Sequence, residues 1–418
     1  MEVSIQDLDR LLGISSPWRV SKITQDDALQ EAEIHVVYSE DSVLRCPACG
    51  KVCPGYDHRL RTWRHTDICA YQTHVIAEVP RIKCAEHGIK TVSVPWADAR
   101  VRFTTAFEAI VIDDLQDATS ISTVAKRRGV SWTMIANIME RSVERGLARK
   151  KEEVVEPICV DETSFRRGHN YITVVSNPVT GTVLHVSEDR TTESLGAYYA
   201  TCSSTQLESL KSMSMDMWGP YIKGTRIWVP GASQKIAFDR FHVAKYIGNG
   251  VDEVRKIENR ELRKQGMDTL TGTKYVWLTN RKHMSAWHKK QLQQLKKSTL
   301  KTSWAWAIKE FSQTLWHYKS RTWALKGWKR WLSWAMRCRL APMKKAAKTI
   351  KNHLWGILNA IVLGVSNGPA ERMNSRIKMV KVRARGFRNK QRFANAIYFY
   401  LGGLDLYPVG FQKQLAHS

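Results

Sequence analysis

From Val154 onward the sequence alternates between strand and helix in an order that only a mixed sheet satisfies. "VVEPICVDE", "NYITVVSN" and "TGTVLHVSEDR" are three β-branched runs joined by short turns, with Pro178, Thr180 and Gly181 forming the second turn. Such runs pair as an antiparallel meander. "TTESLGAYYATCSSTQLESL" then reads as a helix and "KSMSMDMW" as a short fourth strand ending at Asp216. "GPYIKGTRIWVPGA" reads as helix and loop, and "QKIAFDRFHVAKYI" as a fifth strand entering a helix through Asp239. Helical crossovers bring the last two strands in beside the meander. The order β-β-β-α-β-α-β predicts an α/β domain on one mixed five-stranded sheet with flanking helices.

That sheet carries acids. The reading places Asp161 at the end of the first strand and Asp216 at the end of the fourth. If those strands are neighbours, two carboxylates meet and repel unless a cation lies between them. An oxygen-loving ion such as Mg²⁺ or Mn²⁺ fits, and three acids hold two such ions for phosphoryl transfer. Glu162 points to the opposite face from Asp161, because strand side chains alternate, and reads as a bystander. The third acid is expected at Glu371, which follows the helix-start signal Ser366-Asn367-Gly368-Pro369. From Arg372 to Arg392 there are nine Lys or Arg and no acid. A lone Glu leading such a stretch suits a metal ligand followed by residues that hold a DNA backbone: Arg372, Arg376, Lys378, Lys381, Arg383, Arg385 and Arg388. Arg166 and Arg167, in the turn after the first strand, suit either phosphate contact or a solvated tip.

Upstream, Cys46-x-x-Cys49 and Cys84-x-x-His87 are two short-spaced pairs, the ligand set of one structural Zn²⁺. Cys53 and His58 are substitutes in the same segment. The Pro54-Gly55 turn and the alternating Val75, Ile76, Val79 and Ile82 between the pairs suggest a small β-ribbon. The Arg- and His-rich "HRLRTWRH" lets it touch phosphate. "SISTVAKRRGVSWTMIANIMER" (residues 120–141) then has the form of a helix-turn-helix. Ser120 and Ser131 cap its helices, Gly129 makes the turn, and Val124, Ala125, Ile135, Ile138 and Met139 face inward. Ser131, Trp132, Thr133 and Asn137, at the start of the second helix, are placed to read DNA.

The rest of the chain agrees with a polyanionic partner. Lys and Arg total 65 against 39 Asp and Glu, a net charge of +26, which favours nucleic acid. No run is long enough to span a membrane. The N-terminus lacks the form of a signal peptide, so the eight cysteines are expected reduced, in the cytoplasm. Ten of the sixteen tryptophans lie between Trp277 and Trp355. There Trp328, Trp331 and Trp334 suit a helical core, and others suit stacking on bases.

Together, "VDETSFRRGHNYITVV", "MSMDMW", "FDRFHV" and "SNGPAERMNSRIKMVKVRARGFRN" resemble the DDE transposases of bacterial insertion sequences, and more narrowly the family named ISL-three. The resemblance covers nearly the whole chain. It implies an RNase H-like core with Asp161, Asp216 and Glu371 as the catalytic, metal-holding acids. Asp239 and His242 match an Asp-x-x-His element that is structural or DNA-positioning, with Asp239 in reserve as second acid. It also implies a zinc segment and helix-turn-helix that bind double-stranded terminal inverted repeats, metal-dependent cleavage and strand transfer into target DNA, a dimer or larger assembly, and a nucleoid-associated location. The expected boundaries are a leader over 1–40, the zinc module 41–97, the helix-turn-helix domain 98–150, and the catalytic domain 151–250. A helical Trp-rich insertion spans 251–360, the catalytic domain resumes over 361–405, and a tail covers 406–418. Two other readings are a non-catalytic DNA-binding regulator derived from a transposase, and a structure-specific nuclease on the same fold.

Overall fold

The alternation resolves into two five-stranded sheets and a set of helices in the computed structural model, which describes residues 9, 12–117, 120–151, 153–166, 170–296, 300–365 and 368–412. The first sheet contains β1 (Trp18–Asp26), β2 (Glu31–Tyr38), β3 (Gly55–Arg64), β4 (Gln72–Cys84) and β5 (Gly88–Thr91). Its order is β1-β2-β4-β3, with β5 also paired to β4. The ribbon expected between the cysteine pairs is β3–β4. Residues 1–40, read as a leader, supply β1 and β2 to the same sheet. Only Trp18 and Val20 of β1 are buried and the rest of that strand is exposed, so its alternation is too short to see in the sequence.

Three helices follow: α1 (Thr105–Asp117), α2 (Ile121–Arg128) and α3 (Trp132–Arg149). The caps are as expected. Ser120 Oγ accepts the Thr123 N–H and Ser131 Oγ the Met134 N–H, both at 3.2 Å. Gly129 sits at φ +62°, where a side chain is strained and a Cβ would lie 2.2 Å from Gln72 Nε2. Val124, Ala125, Ile135, Ile138 and Met139 are buried.

The second sheet contains β6 (Pro157–Arg166), β7 (Asn170–Asn177), β8 (Thr182–Glu188), β9 (Ser212–Met215) and β10 (Ile236–Phe238), in the order β10-β9-β6-β7-β8. The meander is antiparallel, and β9 and β10 join parallel to β6. The helix expected over 191–210 is two, α4 (Thr192–Tyr199) and α5 (Ser204–Ser209), because Ser203 and Gln206 form a second capping box. Next come α6 (Gly219–Trp228), the single turn α7 (Ala232–Lys235) and α8 (Arg240–Lys264). The helical stretch continues with α9 (Lys274–Leu278), α10 (Ala286–Lys296), α11 (Lys301–Thr314), α12 (Arg321–Arg337), α13 (Ala341–Asn352) and α14 (Leu354–Val362). Finally α15 (Gly368–Arg383) docks on β6, and α16 (Lys390–Leu401) docks on β8 and α3.

The two faces of the meander serve different cores. Ile158, Val160 and Val175 pack with α8–α14, whereas Phe165, Ile172, Val174 and Val183 pack with the first sheet, α1–α3 and the C-terminal helices. The strand period of two makes this division. In the helical stretch Trp277, Trp306, Trp328 and Trp331 are buried, while Trp287, Trp304 and Trp323 stand in solvent. Trp334 is half-buried against the core. No helix among the described residues is long and apolar enough to cross a membrane.

The stretch read as a tail begins inside the protein, with Leu406 and Tyr407 buried. Arg145 of α3 donates to the Leu406 carbonyl at 2.6 Å and pairs with Glu108 of α1. Glu108 is buried, which pushes its carboxyl up against the lowering effect of Arg145. Arg145→Ala would leave an unpaired acid in the core and should cost about 3–5 kcal/mol. The check is a lower thermal midpoint for Arg145→Ala than for the double variant Arg145→Met/Glu108→Gln. Equal midpoints would show that the pair is not what holds the helices.

Candidate functional site

The knuckle turn after Arg45 and the β4–β5 turn bring Cys46, Cys49, Cys84 and His87 together, with all four ligand atoms within 4.8 Å of one another. Cys49 Sγ and Cys84 Sγ are 3.8 Å apart, Cys46 Sγ and His87 Nδ1 3.8 Å, and Cys84 Sγ and His87 Nδ1 3.6 Å. Tetrahedral zinc with bonds of about 2.3 Å to sulfur and about 2.0 Å to nitrogen needs separations of about 3.8 Å and about 3.6 Å. The donor set and its spacing therefore fit Zn²⁺. Cys53 is buried beside this group but is not one of the four, and His58 points out from β3.

At the start of α3, Ser131, Trp132, Thr133 and Asn137 are all exposed. Ser131 Oγ is engaged by its cap. The Trp132 ring lies under the Arg392 guanidinium at 4.6 Å. A cavity of 480 Å³ separates this face from the α15–α16 loop, with Trp132 and Asn137 on one wall and Arg388 and Arg392 on the other. The start of α3 and the basic stretch thus border one cleft.

In the second sheet Asp161 lies mid-strand on β6, opposite Val174 of β7, rather than at the strand end. The meander ladder continues through Arg166, which the sequence pattern alone did not reveal. Asp216 follows β9, and Asp239 follows β10 as the N-cap of α8. Since β6 and β9 are adjacent and parallel, Asp161 and Asp216 leave the sheet in the same region. His242 Nδ1 is 2.6 Å from Asp216 Oδ1, and its Nε2 is 3.6 Å from Asp239 Oδ2. Asp216, Asp239 and His242 form a group with ligand atoms within 4.8 Å.

Electrostatics mark this as a place for a cation. Burial, opposed by the Glu162 N–H and reinforced by Asp216, raises the Asp161 carboxyl to about 6. Burial also raises Asp239 to about 7. Its Oδ2 is buried without a hydrogen-bond partner among the described residues. Burial alone would lower the His242 imidazole, yet the hydrogen bond and charge of Asp216 carry it above its ordinary value. Two acids and a histidine held this closely, with Asp161 near enough to feel the Asp216 charge, suit a divalent ion.

Glu371 is not in that group. It is exposed on the first turn of α15, without a side-chain partner among the described residues. One turn on, Asn374 Nδ2 donates to Asp161 Oδ2 at 2.6 Å, and its Oδ1 accepts from Thr163 Oγ1 at 2.6 Å. Residues i and i+3 share a helix face, so the turn carrying Glu371 lies over the strand carrying Asp161. Asn374 was missed in the sequence. Its spacing from Glu371, within the quoted motif, is the signal that could have found it.

Glu162 faces the side that the pleat assigns to it and has a hydrogen-bond partner there. The pleat does turn it away from Asp161, but into a cavity of 300 Å³ shared with Asp216 and His242. Arg190 holds it there at 3.1 Å. Burial, with Asp216 nearby, raises its carboxyl.

The basic stretch divides. Arg376 donates to the Gly181 carbonyl at 2.6 Å and Lys381 to the Ser164 carbonyl at 3.1 Å. They fasten α15 to the meander. Arg372, Lys378, Arg383, Arg385 and Arg388 are exposed. Arg166 donates to the Arg388 carbonyl at 2.8 Å. Arg167, Ser366 and Asn367 lie outside the described residues.

Comparison with known proteins adds family matches along the chain. Residues 158–397, more than half of it, match a model of the DDE type for ISL3, described as a transposase. Residues 92–143 match the helix-turn-helix domain of transposase family ISL3. Residues 42–87 match the zinc-finger of transposase IS204/IS1001/IS1096/IS1165. The transposase for insertion sequence element IS1001 of Bordetella parapertussis is 24% identical over 84% of this chain and 87% of its own length. The transposase for IS1557 of Mycobacterium tuberculosis is 26% identical over 94% of each chain.

Proposed function

Because the chain belongs to the ISL3 family of DDE transposases, we propose that its second sheet is an RNase H-like catalytic core in which Asp161, Asp216 and Glu371 hold the divalent ions. The enzyme acts on DNA, binds it, and uses zinc and a divalent metal. On this reading the zinc module and α3 recognise the terminal inverted repeats of the source element. Bound Mg²⁺ or Mn²⁺ supplies positive charge to the phosphate under attack. The chain's own part is to orient and to exclude alternatives. Asn374 fixes the Asp161 carboxylate, and His242 fixes that of Asp216. Exposed Arg372, Lys378, Arg383, Arg385 and Arg388 hold the backbone on either side.

In the first step a water oxygen forms the new bond to the scissile phosphorus, and the 3′-oxygen leaves as a hydroxyl. In the second step that hydroxyl attacks a target phosphodiester in line, displacing the target's own 3′-oxygen. Two ends must be joined, so the working form is a dimer or larger assembly in the cytoplasm, on the nucleoid. The helical stretch 251–360, from within α8 into α14, is an insertion between the two parts of the core, with the exposed Trp287, Trp304 and Trp323 available to DNA.

The observation that carries this reading is the approach of Asp161 and Asp216 from neighbouring parallel strands, with the Glu371 helix fastened to Asp161 through Asn374. Incubating the protein with DNA bearing the source element's ends tests it. Cleavage at the end, leaving a 3′-hydroxyl and requiring Mg²⁺ or Mn²⁺, is expected. Specific binding without cutting in either ion would favour the regulator, and cutting of branched DNA regardless of end sequence would favour the nuclease.

A further inference from the structure

The cavity beside Asp216 is built for more than an ion. One wall is Trp218, at the start of α6. Its Nε1 donates to the Arg190 carbonyl at 3.0 Å, and the Arg190 guanidinium covers the ring at 4.5 Å. Arg190 is itself held by the Tyr171 ring at 4.5 Å and by Glu162. Arg190 thus braces the Trp218 ring and also lines the cavity itself. The facing wall is one side of α8, where His242, Lys245, Tyr246 and Asn249 recur at helical spacing. Trp218 and Tyr246 are 36% and 44% exposed, too exposed for rings placed there to fill a core. The space measures 300 Å³. It opens to solvent and suits a group of the size of one nucleotide.

We propose that this cavity takes a single unpaired nucleotide flanking the scissile phosphate, with its base against Trp218 and Tyr246. This rests on the transposase reading, since it takes Asp216 to mark where the phosphate is cut. Lys245 is placed for the nucleotide's own phosphate and Asn249 for a base edge. On this reading the base next to the cut phosphate leaves its stack to enter between the Trp218 and Tyr246 rings. Extruding that base costs its pairing and stacking, and stacking on exposed rings offsets the cost. Trp218 and Tyr246 are then positioning residues that expose the bond to the acids.

The test uses the full chain with duplexes carrying the source element's terminal repeat and 2-aminopurine next to the cleaved bond. Emission is read in Ca²⁺ and cleavage in Mg²⁺ or Mn²⁺. Wild type should change the emission at that position, and Trp218→Ala and Tyr246→Ala should abolish the change while binding the end normally. Both alanine variants should cut a paired end about ten-fold more slowly. A mismatch at the flanking position should restore most of that loss, as should Trp218→Phe. Alanine variants that cut paired ends normally would overturn the proposal, as would a loss that no mismatch restores. A Trp218→Phe protein as slow as Trp218→Ala would do the same, since the residue would then act through its bond to Arg190. The catalytic reading fails separately, if wild type cuts nothing. In that case the emission change, present in wild type and lost in Trp218→Ala, still decides the cavity.

Discussion

A Cys84→Ser protein is expected to carry no zinc and to lose specific binding to the element's ends. The reason is the size of what zinc holds. The apolar cluster at this end of the first sheet consists of Cys46, Cys53, Ile82 and Cys84, flanked by Leu44, Cys49 and Val92. Four of those seven residues are cysteines, so little hydrocarbon is buried apart from the thiols. Lys51 pairs with Glu86 at the surface, but such pairs add at most about 1 kcal/mol. Structural zinc in small modules supplies about 10–16 kcal/mol, far more than the remaining contacts. The damage should stay local. Val75, Ala77 and Val79 of β4 belong to the large core, whereas Ile82 and Cys84 belong to the small one. The boundary falls within a single strand. Elemental analysis should give about one zinc per wild-type chain and none for Cys84→Ser, with new proteolytic cuts between Leu44 and Val92. Cys53→Ala should keep its zinc, because Cys53 is outside the ligand group. A Cys84→Ser protein with a full zinc content would remove Cys84 from the ligands.

What could be read in the sequence follows from how local each feature is. The two cysteine-bearing pairs, the caps of α2 and α3, and Gly129 are set within a few residues. Each appears where expected. The five strands of the second sheet were legible because each is a short β-branched run between turn residues. β1 was not, since a strand with two buried positions has no readable period, whereas β2 does carry one in Ala32, Ile34 and Val36. The local sequence reads Asp161 as the end of a strand. Only the partner strand shows that the ladder continues to Arg166. The link from Asn374 to Asp161 spans 213 positions. Nothing in either local sequence reports it, apart from membership of the same motif set. The cavity that Glu162 faces is not legible for a related reason. Alternation gives the face a side chain leaves from, and the neighbouring elements decide what lies on that face.

Asp216→Asn is expected to lower end cleavage by about three orders of magnitude while leaving end binding near wild type. A divalent ion contributes several kcal/mol to the charge developing on a phosphoryl group, and about 4 kcal/mol corresponds to that factor. Asp161→Asn should behave alike, since it removes one carboxylate from the same region. A second readout separates metal binding from collapse of the site. The Asp161 carboxyl is raised to about 6, so the folded protein holds that proton more tightly than the unfolded chain. Stability is therefore lost as pH rises from about 4 to about 6, and the loss persists above that range. Without divalent ions at pH 8, Asp161→Asn should be more stable than wild type by about 2–3 kcal/mol, a shift of several degrees in the midpoint. At pH 4 most of this advantage should vanish. Mg²⁺ should raise the wild-type midpoint and leave that of Asp216→Asn nearly unchanged, because the cation relieves a repulsion that the substitution has already removed. Asp239→Asn decides between the two candidates for second acid. Its Oδ1 accepts the Phe241 N–H as an N-cap, which asparagine also does well. If Asp239→Asn is inert and Asp216→Asn cuts normally, the second metal-holding acid is Asp239, and Asp216 serves to fix His242.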